Sequence, residues 1–198
     1  MSDKQKQWNE HHLKNISEVL PRPALVLTDN THLLPAQGNA LDLACGLGGN
    51  ALFMAKRGLK VLGWDYSSVA IEQLKKLAEL NKIKLQAEIR DVVMKPPTRQ
   101  SFDVIAVSHF LDRSIIPDLL SALKPGGLVF YQTFIQEKVN DTGPGNPDYL
   151  LKPNELLELF SSLRILVYRE EGLVGDVKQG FRNEALLVAQ QSKSLRHP

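Results

Sequence analysis

The order of apolar and polar residues along this chain alternates between two patterns. Short apolar runs are typical of buried strands, and longer segments with apolar residues every three or four positions are typical of amphipathic helices. The runs predict strands in the segment that opens at residue 40 and at 59–65, 84–91, 102–110, 128–134, 164–171 and 184–191. The longer segments predict helices at 50–58, 67–81, 115–127 and 153–163.

Strands and helices follow one another in turn, which predicts an α/β domain with a parallel sheet and right-handed crossovers. Residues 92–101 are too few for a full crossover helix between the third and fourth strands. The last two strands are close in sequence and follow a single helix, so we expect an antiparallel hairpin at the sheet edge. The pattern therefore predicts seven strands, most of them parallel.

Residues 1–38 do not continue this alternation. They are polar at first, and prolines at positions 21, 23 and 35 then flank a short apolar patch. We expect residues 1–38 to form a covering segment, or lid, and residues 39–192 to form one domain. Trp8 lies either on the ligand site as part of that lid or at the surface as an anchor.

The first strand leads into a turn built on Gly46, Gly48 and Gly49. Strand, glycine turn and helix in this order bring backbone N–H groups and a helix N-terminus close to a ligand. The spacing also fits a dinucleotide fingerprint. Asp42 changes this interpretation, because a carboxylate inside a parallel strand needs a partner. The ammonium and sulfonium of S-adenosylmethionine would supply one, whereas an anionic pyrophosphate would repel it.

The stretch DLACGLGG resembles the first motif of the class I S-adenosylmethionine-dependent methyltransferases, Asp-x-Gly-x-Gly-x-Gly. Ala44 stands where that family usually has its first glycine, and an alanine fits there if φ stays negative. The chain is also similar to the tellurite-resistance type of small methyltransferase in ALDLACGLGGNALFMAKRG, FDVI, LKPGG, NELLELF and the YREEG stretch. It departs from that type after residue 134, so the metalloid substrate is not carried over.

The resemblance implies a Rossmann-like, seven-stranded methyltransferase fold with helices on both faces, in which a C-terminal antiparallel hairpin completes a mostly parallel sheet. It also implies S-adenosyl-L-methionine as the cofactor, bound across the carboxyl ends of the strands. The residues expected to bind it are Asp42, Ala44, Cys45, Gly46, Gly48, Asn50, Asp65, Tyr66, Ser67, Asp91, Val92, Ser108 and Phe110.

Acidic residues follow the second and third predicted strands. Asp65 lies 19 residues after Gly46, close to the offset at which an acid meets ribose hydroxyls. Alternatively, Asp65 caps the helix that begins at Ser67. Asp91 matches the family's acid that accepts a hydrogen bond from the adenine amino group, with the Val92 N–H available to a ring nitrogen. Alternatively, Asp91 is an ordinary turn aspartate.

His109 follows the fourth strand, where doubly wound folds open their ligand crevice. It is the candidate catalytic residue, since it could orient a nucleophile or take its proton. It could equally be a loop histidine packed under the lid, because methyl transfer needs mainly alignment in a desolvated pocket. Phe110 covers the adenine or the donor sulfur, or packs in the core. Cys45 is expected to be a small buried hydrophobe.

The amino-acid composition indicates which binding partners and which cell compartment to expect. The 198 residues carry 24 basic and 22 acidic side chains, a net charge of +2, without the basic bias typical of nucleic-acid binding. No apolar run approaches the ~18 residues of a membrane span. The single cysteine excludes an intrachain disulfide and a cysteine-based metal site, and it fits a reducing compartment. We expect a cytoplasmic monomer or weak dimer without metal, nucleic-acid or membrane partners.

These patterns predict S-adenosylmethionine-dependent methyl transfer to a small-molecule nucleophile, namely a thiol, an amine, a halide or a metalloid. Two alternatives stay open. A nicotinamide-dependent oxidoreductase is supported by the glycine spacing and by Asp65, but not by Asp42 or Asp91. A catalytically silent subunit would bind the cofactor without turnover.

Overall fold

In the computed structural model, which describes residues 3–193, a seven-stranded sheet forms the centre of the molecule. The strands are β1 (Asn39–Leu43), β2 (Lys60–Asp65), β3 (Gln86–Ile89), β4 (Phe102–Ser108), β5 (Leu123–Phe134), β6 (Arg164–Glu170) and β7 (Glu184–Gln190). Their order is β3-β2-β1-β4-β5-β7-β6. The first five strands in that order pair in parallel, and β7 is antiparallel to both neighbours. The predicted mostly parallel sheet with a C-terminal antiparallel hairpin is confirmed.

Helices cover both faces of this sheet. They are α1 (Asp3–Leu13), α2 (Leu25–Thr28), α3 (Gly49–Ala55), α4 (Ser68–Leu80), α5 (Ile116–Ala122) and α6 (Glu155–Leu159). On one face, α2, α3 and α4 contribute Leu27, Met54 and Leu74 to a buried apolar cluster. On the other, α5 and α6 contribute Leu119 and Leu156 to a second cluster. The central strands are buried between these clusters, which is why their sequences read as nearly continuous apolar runs.

The helix predicted over 115–127 ends earlier than expected. It stops at Ala122, and residues 123–127 open strand β5 instead. The reason is Pro125, which disfavours helical geometry at the preceding residue, Lys124. The effect of Pro125 on the residue before it thus ends the helix early. The predicted segment instead runs on to the glycines behind the proline.

Other predicted elements are present but shorter. α6 covers only part of the predicted 153–163 helix, and β3 covers 86–89 of the predicted 84–91 strand. Residues 90–101, between β3 and β4, contain no helix, as their number predicts. Among the described residues, no helix combines the length and the apolar character needed to cross a membrane.

The segment before the sheet has two parts that pack differently. Val26 and Leu27 in α2 are 1% and 0% exposed, so residues around 24–34 belong to the packed core. Helix α1 has no buried residue and lies against α4. Of these two parts, α1 is therefore the one that lies on the outside of the domain.

The strand order reverses beside β1, because the chain adds β2 and β3 on one side and then crosses to β4 on the other. Ligands of open α/β sheets bind outside the carboxyl ends of the strands at such a point. The turns after β1, β2, β3 and β4 meet there. Since β7 runs in the opposite direction, its first residue, Glu184, lies at the same edge.

Candidate functional site

The turn after β1 uses left-handed backbone at Ala44, Gly46 and Gly48, with φ of 54°, 51° and 89°. The condition for an alanine at position 44, a negative φ, is not met, and the turn holds Ala44 in a conformation that costs about 1–2 kcal/mol. At Gly48 a Cβ would lie 2.3 Å from Cδ1 of Leu74, so this glycine lets α4 pack on the turn. A Cβ at Gly46 would meet only Cε1 of His12, at 3.4 Å. Gly46 is therefore the glycine with room for a ligand to approach.

Asp42 lies at the end of β1 with no exposed surface. Its Oδ2 accepts from the Ala51 N–H at 2.9 Å, and its Oδ1 lies 3.5 Å from Nδ2 of Asn50. Burial raises the pKa of Asp42 to about 7, although these two hydrogen bonds oppose the rise. The partner that this carboxylate needs is thus the first turn of α3. Direct contact between Asp42 and a ligand would require Asn50 to move.

Asn50 connects the ends of two strands to the segment before the sheet. Its Nδ2 donates to Oγ of Ser108 at 2.9 Å, across the gap between β1 and β4. Its Oδ1 accepts from the Ala24 N–H at 2.9 Å. The side chains of Asn50 and Ser108, both predicted to bind the cofactor, therefore lie together beneath the crevice.

Two other predicted cofactor-binding residues turn their side chains into the core, Cys45 and Val92. The Cys45 N–H donates to the Trp64 carbonyl, and its carbonyl accepts from the Gly48 N–H, both at 2.9 Å. Burial, together with the negative charges of Asp42 and Asp65, raises the pKa of the Cys45 thiol. Cys45 is thus a buried apolar side chain, as expected, and only its backbone borders the turn.

Asp65, at the end of β2, lies across the glycine turn. Its Oδ2 accepts from the Gly46 N–H and its Oδ1 from the Ser67 N–H, both at 2.8 Å. The carboxylate therefore joins the turn after β1 to the start of α4. The cap of α4 itself is Ser67, whose Oγ accepts from the Ala70 N–H at 3.2 Å.

Helix α1 lies over this end of β2. Asn9 Oδ1 accepts from Oγ of Ser67 at 2.7 Å, and Gln5 Nε2 donates to the carbonyl of Tyr66 at 3.1 Å. Two of the predicted cofactor-binding residues, Tyr66 and Ser67, are thus also the docking points of α1. Any movement of α1 would change what these residues offer to a ligand.

Two aromatic residues of α1 sit above the glycine turn. His12 lies beside Gly46, and the ring of Trp8 stacks on His12 with centroids 6.0 Å apart. Burial lowers the pKa of His12, while the charge of Asp65 opposes this change. Trp8 is therefore positioned with the part of α1 that covers the turn.

Asp91 caps the turn that follows β3. Its Oδ1 accepts from the N–H groups of Val93 and Met94, at 3.1 and 3.2 Å. Its side chain is half-buried, and Val92 beside it is buried. Asp91 therefore makes the contacts of a turn aspartate, which was one of its two predicted roles. These contacts use one of its two carboxylate oxygens.

His109 makes contacts that connect β4 to β7. Its Nε2 lies 3.0 Å from Oε1 of Glu184, and its ring stacks on Phe134 with centroids 4.9 Å apart. Gln132 Nε2 donates to the other Glu184 oxygen at 2.5 Å. Burial would raise the pKa of Glu184, but the hydrogen bond and charge of His109 and the amide of Gln132 hold it below its usual value.

Glu184 and Gln132 were not predicted from the sequence. Glu184 opens a strand that reads as an ordinary apolar run, and Gln132 lies inside another. The available signal was the reversed direction of the last strand, which brings its first residue to the carboxyl edge of the sheet. Phe110 was predicted, and it is half-buried there with its carbonyl accepting from the Tyr131 hydroxyl at 2.7 Å.

Residues 40–127 match the family described as a methyltransferase domain. The ubiquinone biosynthesis O-methyltransferase of Coxiella burnetii is 29% identical over 100 residues, which cover 48% of this chain and 43% of that protein. The probable S-adenosyl-L-methionine-dependent methyltransferase TehB of Haemophilus influenzae is 26% identical over 139 residues, which cover 66% of this chain and 47% of that protein. The chain spans less than half the length of these curated relatives.

Solved structures share the fold. The crystal structure of TehB from Haemophilus influenzae matches with a TM-score of 0.70 at 22% identity, over 93% of this chain and 67% of that one. A structure from work on the conversion of a disulfide bond into a thioacetal group during echinomycin biosynthesis matches with a TM-score of 0.71 at 18% identity, over 98% and 94% of the two chains.

The matched residues contain the glycine turn and the acids that follow β1, β2 and β3. The structure of a SAM-dependent methyltransferase from Methanosarcina mazei shares this fold, with a TM-score of 0.66 at 20% identity over 88% of this chain and 100% of that one. Residues 40–127 of this chain therefore match a methyltransferase domain, within a fold that the chain shares with solved methyltransferase structures.

Proposed function

We propose that this chain transfers a methyl group from S-adenosylmethionine to a small-molecule nucleophile by in-line displacement. The acceptor would be a thiol, an amine, a halide or a metalloid. The observation that carries the proposal is the bond between Asp65 and Gly46, because it fixes a buried carboxylate across the glycine turn. That carboxylate lies at the edge where doubly wound sheets bind their ligands.

The residues at this edge fit the cofactor. Each oxygen of Asp65 accepts one backbone N–H, which leaves it able to accept a ribose hydroxyl as well. The Asp91 hydrogen bonds seen among the described residues all go to Oδ1, so Oδ2 would accept from the adenine amino group. The Val92 N–H would donate to a ring nitrogen, and Asn50 and Ser108 would line the opposite end.

The remaining predicted contacts would come from backbone and from Phe110. The backbone of Ala44, Cys45, Gly46 and Gly48 would border the cofactor at the turn. When bound, the cofactor supplies an electrophilic methyl carbon, and the chain needs to hold the acceptor in line with it and exclude water. We assign contact with the methyl acceptor to His109, which is 46% exposed just after the end of β4.

We further propose that residues 8–38 and 135–152 close over the donor. The position of α1 above Ser67 and Gly46 supports this for the N-terminal part. The 135–152 loop is fixed at its base, where Ile135 bridges to Leu151. Since Val26 and Leu27 of α2 are buried in the core, the part of residues 8–38 that would move is the one before α2. The 135–152 loop would move against the rest of residues 39–192.

We also propose that the protein acts in the cytoplasm, as a monomer or weak dimer. The single cysteine, Cys45, is a buried thiol, which suits a reducing compartment. The mixed charge along the chain supports a small-molecule acceptor more than a nucleic acid.

A turnover assay tests the proposed function. Purified chain and S-adenosylmethionine would be incubated with thiophenol, benzylamine, iodide or tellurite, and S-adenosylhomocysteine would be measured. We expect product with at least one acceptor, and a lower rate for Asp65→Ala when the cofactor is below saturation. Glu158→Gln, on the exposed side of α6, is the control and should keep the wild-type rate. Cofactor binding without product from any acceptor would support the silent-subunit alternative.

A further inference from the structure

A continuous chain of hydrogen bonds at the carboxyl edge ends on His109. Gln132 accepts from the Val26 N–H through Oε1 at 2.8 Å and donates to Oε2 of Glu184 through Nε2 at 2.5 Å. Glu184 Oε1 then lies 3.0 Å from Nε2 of His109. Because the Val26 N–H can only donate, it fixes which way the Gln132 amide points. The Glu184 carboxylate is therefore held at both of its oxygens.

The backbone and the ring of His109 are also held in place. Its φ is 54°, a conformation that a residue with a side chain keeps only where the surroundings enforce it. Its N–H donates to the Gln132 carbonyl at 2.9 Å, and its ring stacks on Phe134. The same ring is 46% exposed, so part of a fixed imidazole is open to solvent just after β4, at the carboxyl edge of the sheet.

We propose that Glu184 positions His109 as the general base of the reaction, and that the methyl acceptor is a neutral nucleophile bearing a proton, such as a hydroxyl, a thiol or an amine. This inference rests on the proposed function. With Nε2–H donating to the Glu184 carboxylate, the free lone pair of the ring is on Nδ1. Within residues 3–193, no hydrogen bond to Nδ1 competes for it.

The proton and the electrons then balance. The acceptor's heteroatom forms its bond to the methyl carbon while the donor sulfur takes the electron pair of the breaking carbon–sulfur bond. His109 Nδ1 takes the proton that the heteroatom loses, and the Glu184 carboxylate balances the charge of the resulting imidazolium. A histidine that is oriented by a buried carboxylate works in this way in hydrolytic triads.

The state of Glu184 agrees with that role. His109 and Gln132 hold the pKa of Glu184 below its usual value in spite of its burial, so it is an anion at neutral pH. A halide carries no proton to remove and would make no use of a base. Among the four acceptor classes, the arrangement therefore favours the protic ones.

Histidine nitrogen NMR tests the positioning without any acceptor. The full chain would be labelled with ¹⁵N-histidine, and the His109 signals would be assigned by their loss in His109→Asn. We expect neutral His109 to be protonated at Nε2 in the wild type and to populate both tautomers in Glu184→Leu. A wild-type His109 protonated at Nδ1, or an unchanged tautomer in Glu184→Leu, would overturn the proposal.

Kinetics test the base. With catechol and thiophenol as protic acceptors, Glu184→Gln should lower kcat by about 10- to 100-fold, within the range of general-base effects, and should alter the acidic limb of the pH–rate profile. KM for the cofactor should stay within about twofold, and Glu184→Asp should recover part of the rate. Turnover of iodide but of neither protic probe would overturn the inference, as would an unchanged pH profile. A chain that fails to bind S-adenosylhomocysteine would refute the proposed function instead, and the tautomer measurement would still be readable.

Discussion

At the scale of single residues, the site depends on carboxylates that serve two purposes. Asp65 holds the Gly46 and Ser67 amides and is also the residue we assign to the ribose hydroxyls. Asp91 caps a turn with one oxygen, and we assign the other oxygen to the adenine amino group. In both cases the structural contact orients the group that a ligand would use.

Removing the Asp65 carboxylate should weaken cofactor binding. We expect Asp65→Ala to lose about 1–3 kcal/mol of binding free energy, because the ribose hydroxyls lose a charged acceptor. The domain should still fold, with a lower free energy of unfolding because two backbone amides lose their acceptor. Isothermal titration with S-adenosylhomocysteine and urea denaturation measure the two effects.

Asp103→Ala is the control for that experiment, because Asp103 lies at the opposite, amino edge of the sheet, where its Oδ2 accepts from the Asn39 N–H at 2.7 Å. It should lower the free energy of unfolding by about 1 kcal/mol, with little effect on affinity. If Asp65→Ala binds the cofactor as tightly as the wild type while losing stability, Asp65 is only a structural residue.

Asp42 should make stability depend on pH. Burial raises its pKa to about 7 in the folded state, above the 3.8 of an exposed aspartate, so between those pH values the unfolded chain loses a proton that the folded chain keeps. The contribution of Asp42 to the free energy of unfolding is greatest below pH 3.8. It falls as pH rises towards 7, by about 4 kcal/mol at most. Urea denaturation at several pH values should show that the free energy of unfolding of wild type, relative to Asp42→Asn, declines over this interval. Parallel pH curves for the two proteins would contradict the buried, protonated carboxyl.

Part of this site could be predicted from residue types and their positions along the sequence. Strand-end position and the glycine turn are local signals, and they located Asp65, Asn50 and Ser108 correctly at one edge of the sheet. They could not predict that the partner of Asp42 is the Ala51 amide, since this depends on how α3 folds back on β1. Glu184 was missed because its position follows from the pairing of β7 with β5, which no local pattern encodes.

At the scale of elements, apolar periodicity predicted which segments form strands and helices. Boundaries were less accurate where a single residue decides them, as Lys124 before Pro125 does for α5. The positive φ of Ala44 was also missed. The family usually has glycine at this position, and the turn imposes a positive φ here even though this chain has alanine. The packing of α2 into the core was not predicted either, since its apolar patch is short.

Helix α1 is the element whose removal tests the lid. Deleting residues 1–20 spares Val26 and Leu27, so the truncated chain should fold and bind S-adenosylhomocysteine. It should lose most turnover, because the crevice would no longer exclude water. Asn9→Ala is the milder variant, since it cuts one contact of α1 to Ser67 and should reduce turnover less.

Limited proteolysis of the full-length chain checks the same element directly. Cleavage within residues 8–38 and 135–152 should slow when the cofactor is added. Equal cleavage rates with and without cofactor, or full activity of the truncated chain, would show that these segments do not close over the site.

At the scale of the whole molecule, strand order brings distant residues to one edge. The reversal beside β1 gathers the turns after four strands, and the antiparallel β7 adds Glu184 from the other end of the chain. Alternation of strands and helices predicted the parallel sheet, and the closeness of the last two strands predicted the hairpin. The strand order followed from the family resemblance, because periodicity along a chain carries no information about which strands become neighbours.

Titration of the intact chain with S-adenosylhomocysteine tests the central claim most directly. Calorimetry should give one site per chain, and the same site should bind S-adenosylmethionine in competition. NAD and NADP should bind weakly, because Asp65 already accepts from the Gly46 N–H, at the glycine turn where their pyrophosphate would bind. Tight binding of a nicotinamide dinucleotide, with no heat from either form of the methyl donor, would contradict this account of the site.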